Sequence, residues 1–191
     1  MKKLVVTLLL MISVLSMANA QFTKIGGGLA LSSGFPFHNM PWDYNKSGKI
    51  AVSFKGIYEI SVPLHISPSL TIFYPHIFKD QMSKITVSSM MFDINGHYVF
   101  NSLDKFEFYG LAGLDILLAK KKETYEGSPA NTESDNALGL NLGVGTYMKI
   151  TEQFDIFGEA KYIFSKYDQF MLNGGILLNI DWMKKHENSG M

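Results

Sequence analysis

Phe170-Met171-Leu172-Asn173-Gly174-Gly175-Ile176-Leu177-Leu178-Asn179-Ile180-Asp181-Trp182 decides the fold. Its even-numbered positions are aromatic, aliphatic or Gly, while Asn173, Asn179 and Asp181 fall on the odd ones. Successive strand side chains point to opposite faces, so this segment has one apolar face and one polar or crowded face. The same two-residue rhythm recurs from Phe22 onward and predicts strands at 23–34, 50–64, 70–78, 85–100, 106–119, 137–150, 154–165 and 169–183. Most are long enough for a tilted membrane crossing, which takes about 9–11 residues. The expected architecture is all-β: an eight-stranded antiparallel up-and-down transmembrane β-barrel.

The ends of the chain fit that architecture. Lys2 and Lys3, the apolar run 4–17 and Ala18-Asn19-Ala20 have the layout of a cleaved secretion signal, so the domains read as a leader at 1–20, a barrel at 21–183 and a polar tail at 184–191. Beyond the leader no apolar run reaches the ~18 residues of a spanning helix. Lys and acid counts are equal, and loss of the leader tips the balance slightly negative, so nothing favours nucleic acid as a partner. There is no Cys, which excludes disulfides and thiolate metal sites, and every Lys/Arg position is Lys, which removes the bidentate fork suited to carboxylates and phosphates.

Connections alternate in length. Tight turns are read at 65–69, 101–105 and 151–153, longer polar loops at 35–49 and 120–136, and shorter members of that second group at 79–84 and 166–168. Outer-membrane barrels have short periplasmic turns and long external loops, and an even strand count places both mature termini on the periplasmic side. A weak repeat keeps the register: segments beginning at Leu70, Phe106 and Phe154 each follow a short turn and each read apolar, polar, apolar, aromatic, then Tyr or Gly.

One parity forms the expected lipid face: Val52, Phe54, Tyr58 and Ile60; Leu138, Leu140, Leu142 and Val144; Phe154, Ile156, Ala160, Tyr162 and Phe164. No charge interrupts it, and one at mid-membrane would cost about 2–4 kcal/mol. Phe154 and Phe164 are separated by roughly 25 Å of membrane normal on a strand tilted about 40°, the height of the apolar band. Aromatic girdles are therefore expected at Phe22, Tyr98, Phe100, Phe106, Phe154 and Trp182 on the inner boundary, and at Phe37, Trp42, Tyr44, Phe164, Tyr167 and Phe170 near the outer one. The competing assignment makes these aromatics ordinary core residues of a soluble sandwich.

The other parity supplies a lumen polar network of Lys55, Glu59, Asp93, His97, Glu107, Asp115, Lys149, Asp155, Glu159, Lys161 and Asp181, with small residues between them. An eight-stranded lumen is just wide enough for side chains to fill it, so these charges must pair, neutralise or recruit water. Acids outnumber Lys in the set, which predicts either a carboxylate with a raised pKa or water in the lumen.

Tyr109-Gly110-Leu111-Ala112-Gly113 within 106–115, Gly143-Val144-Gly145-Thr146-Tyr147 and Asn173-Gly174-Gly175-Ile176 resemble the hairpins of the outer membrane protein β-barrel domain family, small Gram-negative barrels related in architecture to OmpX and the membrane domain of OmpA. The resemblance implies outer-membrane lipid and the barrel-assembly machinery as partners. It also makes Trp182 the counterpart of the terminal aromatic that this machinery reads, although here a polar tail follows. An extracellular ligand would be met through loops 35–49 and 120–136.

Catalytic and metal sites are not evident. Asp93 and His97 share a face about 13 Å apart along one strand, too far to act as a pair. His38, with Asp43 in the first loop, is the one place a hydrolase site could form, and a solvated loop His is the ordinary alternative. His65 and His76 lack ligand company. Gly26-Gly27-Gly28 lacks the Lys-Ser/Thr and helix of a phosphate loop. The run Lys120-Lys121-Lys122 either binds anionic sugars or lipid phosphates or is simply solvated. The expected role is a structural or surface-interacting barrel without enzyme activity or cofactor. A narrow channel, an accessory of envelope assembly or secretion, and a membrane-embedded enzyme are the alternatives.

Overall fold

The computed structural model of the chain describes residues 22–37, 47–79, 83–125 and 129–180. Nine strands follow in order: β1 (Phe22–Ser32), β2 (Ile50–Ser61), β3 (Leu64–Phe73), β4 (His76–Lys79), β5 (Ser83–Ser102), β6 (Phe106–Tyr125), β7 (Asn131–Lys149), β8 (Phe154–Ser165) and β9 (Gln169–Asn179). Apart from β3 and β4, each pairs antiparallel with the next, β1 pairs β9, and β3 pairs β5, so the sheet closes on itself. β3 and β4 both pair with β5 and form one stave interrupted at Tyr74-Pro75, leaving eight staves around the wall. Pro supplies no N–H to a ladder, which accounts for a break there.

Alternation dictates which side of each stave meets the interior. Leu138, Leu140, Leu142 and Val144 are exposed while Ala137, Gly139 and Asn141 are buried. Phe154, Ile156, Tyr162 and Phe164 are exposed while Asp155, Phe157, Glu159, Lys161 and Ile163 are buried. A soluble core would have the reverse polarity. Among the described residues, no helix is long and apolar enough to cross a membrane, and here the strands carry the outward grease.

Two sequence expectations are corrected. The turn expected at 65–69 lies instead at Val62-Pro63, and β3 already begins at Leu64. Pro68 invites a turn there, but it sits within β3 opposite Ile94, where the ladder to β2 lapses between Tyr58↔Ile66 and Lys55↔Ser69. The missing donor thus falls in a gap in the wall. The loop expected at 120–136 is mostly strand. β6 and β7 stay paired out to Glu123↔Asn131, and β5 follows β6 to Ser83↔Tyr125. This stretch stands beyond the apolar band, where both faces meet polar surroundings. Hydrophobic alternation therefore disappears although the pairing continues.

The end with short connections holds the turns at 62–63, 103–105 and 150–153 together with the start of β1. Thr151 shapes one of them: its hydroxyl accepts from the Gln153 and Phe154 amides at 3.2 and 3.0 Å. The opposite end carries the longer connections and the projecting β5–β6–β7 sheet.

Candidate functional site

The interior is the candidate site, and it is layered along the barrel. Nearest the long-loop end lies an apolar plug of Ala30, Phe35, Phe37, Ala51, Phe73, Val87, Met91, Leu117, Ala119, Ala137, Ile163, Tyr167 and Met171, all buried. Phe35 and Phe37 come from the connection after β1, which turns inward through a bridge in which the Phe35 amide donates to the Ser47 carbonyl at 3.0 Å. The Phe35 ring meets Phe73 edge-on at 6.4 Å and Tyr167 at 5.2 Å.

Below the plug is a polar belt. Lys55 forms a buried ion pair with Glu159, and Lys161 pairs with Asp93 at 3.1 Å. Asn95 donates to Asp93, Asn141 donates to Asn95 at 3.0 Å, and the Ser53 hydroxyl donates to Asn173 at 2.9 Å. Asp115 stands directly opposite Asp93 on the neighbouring strand, and neither of its carboxyl oxygens has a hydrogen-bond partner among the described residues. Gly139 makes room for it: a Cβ there would fall on the Asp115 carboxyl.

The third layer is aromatic. His97, Tyr109 and Tyr147 stack at successive centroid distances of 4.4 Å, and Ile57, Leu111, Phe157 and Leu177 pack with the two Tyr. Tyr109 donates to Glu159 at 2.7 Å, the Tyr147 hydroxyl shares a 2.6 Å hydrogen bond with His97 Nδ1, and the Lys55 ammonium lies 4.5 Å from the Phe157 ring centre. Gly145 permits this packing, since a Cβ there would come within 2.5 Å of the Tyr109 hydroxyl oxygen. Beneath, a vestibule of about 200 Å³ opens at the short-turn end, with Lys24, Glu107, Lys149 and Asp155 among its lining. Lys24 and Asp155 pair there at 2.8 Å.

Of the ionisable residues expected inside, Lys55, Asp93, His97, Asp115, Asp155, Glu159 and Lys161 are buried. Glu107 is half-buried, Glu59 and Lys149 are exposed towards the short-turn end, and Asp181 lies outside the described residues. Asp93 and His97 do not meet, each being occupied by other partners. Of the expected girdles, Tyr98, Phe100, Phe106 and Phe154 are exposed, and Phe22 half-exposed, at the short-turn end. Phe164 and Phe170 are exposed towards the other end. Tyr167 and Phe37 are corrected: at 2% and 3% exposure they are part of the plug, not of a lipid-facing ring. Their segments leave the wall and bend over the mouth, so strand parity no longer decides which way they point. Trp42, Tyr44 and Trp182, like His38 and Asp43, lie outside the described residues.

Sequence reasoning missed Lys24, Asn95, Tyr109 and Tyr147. Their parity was readable, since Asn95 lies between Asp93 and His97, and Lys24 shares the phase of Gly26, Gly28 and Ala30. A bulge between Phe22 and Lys24 lets Phe22 face outward although it shares that phase.

Outside the barrel proper, Asp135 on β7 accepts from Lys166 and from the Tyr167 hydroxyl, tying the projecting hairpin to the β8–β9 turn. The Lys166 hydrogen bond and then that of Tyr167 hold the Asp135 carboxyl below its ordinary pKa. A depressed carboxylate stabilises above the unfolded pKa, about 3.9, and loses that contribution as pH falls through the folded value. The tie is expected to be intact at neutral pH and to release below about pH 4. The protection factors of amides 166–168, exchange rates corrected for the intrinsic rate at each pH, should then fall in the native chain and stay constant across this range in Asp135→Asn. A pH-independent native profile would contradict the assignment.

Among the described residues, no group of His, Asp and Glu is arranged to hold a metal. Most of the buried ionisable groups are engaged with one another behind the plug, Asp115 being an exception among the described residues.

Comparison with known proteins agrees with this geometry. The sequence profile of the outer membrane protein β-barrel domain family matches residues 4–183. No curated protein matches at the sequence level. Solved structures of similar fold include Ail, the attachment invasion locus protein of Yersinia pestis, at 18% identity and TM-score 0.53 over 81% of this chain and 96% of that one. The N-terminal β-barrel domain of Pseudomonas aeruginosa OprF aligns at 13% identity and TM-score 0.52 over 82% and 97% of the two chains. A major outer membrane protein from Thermus thermophilus aligns at 12% identity and TM-score 0.58 over 81% and 98%. At these identities the likeness is one of fold, whereas the profile spans nearly the whole sequence, and the chain belongs to the outer membrane protein β-barrel domain family.

Proposed function

We propose that this protein is a closed integral barrel of the outer membrane with a structural or surface-interaction role. In this reading the leader 1–20 is removed, the barrel-assembly machinery inserts the chain, both termini are periplasmic and the long-loop end faces outward. The single observation that carries it is the layered interior, in which an apolar plug closes one mouth over a belt of paired charges. An ion would have to displace packed aromatic rings and break buried pairs to pass. Ail has been crystallised in complex with the heparin analogue sucrose octasulfate. A comparable external contact of this chain would fall on segments 35–49 and 120–136.

Two measurements test the proposal. In planar bilayers the protein is expected to give no discrete conductance steps, and regular steps would favour the channel alternative. The absence of Cys makes labelling clean. Thr124→Cys at the tip of β6 should react with a membrane-impermeant maleimide on intact cells, while Asp104→Cys in a short turn should react only after the outer membrane is permeabilised. The opposite pattern would overturn the orientation.

A further inference from the structure

The projecting sheet sorts its charges by face. Glu123, Glu133 and Asp135 share the inward parity with Lys121, which lies 3.0 Å from Glu133 and 3.9 Å from Glu123. Lys120 and Lys122 fall on the outward parity and are exposed. Backbone register extends this outward face across three neighbours. Ser88, Lys120 and Ser134 form one row, and Ile77, Thr86, Lys122 and Thr132 form the next. Lys79, Lys84 and Thr124 form the third. Four lysines thus share one face with five hydroxyl side chains, and no Asp or Glu joins them among the described residues. None of the four is in an ion pair or side-chain hydrogen bond there. Rows two residues apart are separated by about 6.7 Å and strands by about 4.8 Å, so Lys120 and Lys122 can reach one phosphate group together.

This cationic face begins where the apolar band ends. The row immediately below Lys120 is Ile72, Met90, Leu118 and Asn136. At that boundary a cleft of about 490 Å³ opens, its lining including Ile72, Pro75, Met90 and Leu118 below, Lys120 and Ser134 above, and Asp135, whose carboxylate is held by Lys166 and Tyr167. The break in the third stave at Tyr74-Pro75 forms one side of it.

We propose that this surface binds a phosphorylated lipid of the surrounding leaflet. The phosphate sits on Lys84, Lys120 and Lys122 with the neighbouring hydroxyls, and one acyl chain lies in the cleft below. Charge complementarity and continuity with the apolar band select a membrane lipid as the occupant. A soluble anion would use only the upper half, and an apolar ligand only the lower. Lys is a compact cation suited to the point charge of a phosphate, and its long apolar stem can lie along the wall while its ammonium stays in the headgroup layer. The inference rests on the membrane-embedded reading above.

The test is native mass spectrometry of the detergent-solubilised full chain exposed to phosphatidic acid, to diacylglycerol with the same acyl chains, or to inorganic phosphate. The native protein is expected to retain phosphatidic acid at least about ten-fold better than diacylglycerol, and millimolar inorganic phosphate should not displace it. Lys84→Gln/Lys120→Gln/Lys122→Gln should lose that preference, whereas Lys49→Gln/Lys105→Gln should keep it. Met90→Trp, which fills the cleft, should weaken retention with all four lysines present. Heat-modifiable gel migration reports on each variant separately, so failure of the barrel itself is distinguishable from failure of the site. Equal retention of the two lipids, unchanged retention by the triple variant in its folded form, or displacement by inorganic phosphate would overturn the proposal.

Discussion

Lys55→Met should destabilise the folded barrel by about 3–5 kcal/mol, because it leaves Glu159 buried without its cation. The side chains of Lys55 and Glu159 are 2% and 1% exposed, and they pair across the barrel from β2 to β8. Glu159 also accepts from Tyr109, and His97 Nε2 lies 3.9 Å from it. One carboxylate therefore anchors the polar belt to the aromatic layer. Removing Lys55 leaves its charge facing only neutral donors and the more distant Lys161. Glu159→Gln in the same background removes that stranded charge, so the double variant is expected to recover much of the loss. The interaction energy from the four-protein cycle should then be large. Denaturant unfolding from vesicles with reversible refolding gives the comparison. A Lys55→Met loss below about 1 kcal/mol, the range of exposed pairs, would mean that water reaches the belt and that the interior is not closed.

Gly28→Val should abolish assembly of the closed barrel. The wall closes where β1 meets β9, and there Gly26, Gly27 and Gly28 face Leu177, Ile176 and Gly175. The backbones approach so closely that a Cβ on Gly28 would fall on the Gly174 carbonyl and lie 2.8 Å from the Gly175 Cα. From the other side, a Cβ on Gly175 would lie 2.5 Å from the Gly28 Cα. Backbone atoms cannot give way as a flexible side chain does. Overpacking commonly costs about 1–3 kcal/mol and more where nothing can relax. Here the strain falls on the seam that joins the first strand to the last, and an unclosed barrel exposes two unpaired edges to lipid. The expected readout is loss of the heat-modifiable folded band, with Gly110→Ala as a control, since a Cβ at Gly110 meets nothing within 4 Å. Normal folding of Gly28→Val would show that the seam is looser than described.

The outward face, the belt and the plug are not equally visible in the sequence. The outward face was legible because no charged residue interrupts the phase of Leu138 to Val144 or of Phe154 to Phe164, although Phe157 and Ile163 put apolar side chains on the other phase. The belt was legible for the same reason, since Asp93, Glu159 and Lys161 occupy the opposite phase. The projecting hairpin was not, because beyond the membrane boundary neither face of 120–136 is apolar and the period-two signal vanishes while the ladder continues. Pro68 misled for a related reason: a missing donor reads as a turn unless the neighbouring strand is known to leave a gap there. The plug was invisible because Phe35, Phe37 and Tyr167 belong to segments that leave the wall, where parity no longer assigns a side. Lys120-Lys121-Lys122 reads as a uniform cationic run. Only the strand register separates Lys121, paired inward with acids, from its two outward neighbours.

Apolar side chains face hydrocarbon, and the ionisable groups are enclosed behind them. Methyl-selective NMR of the native chain in lipid nanodiscs tests this without any substitution, through cross-relaxation between side-chain methyls and lipid acyl protons. Leu138, Leu140, Leu142, Leu172 and Ile176 are expected to show strong contacts with the chains, and Leu111, Leu117, Ile163 and Leu177 none. Contacts at the second set and their absence at the first would contradict the account.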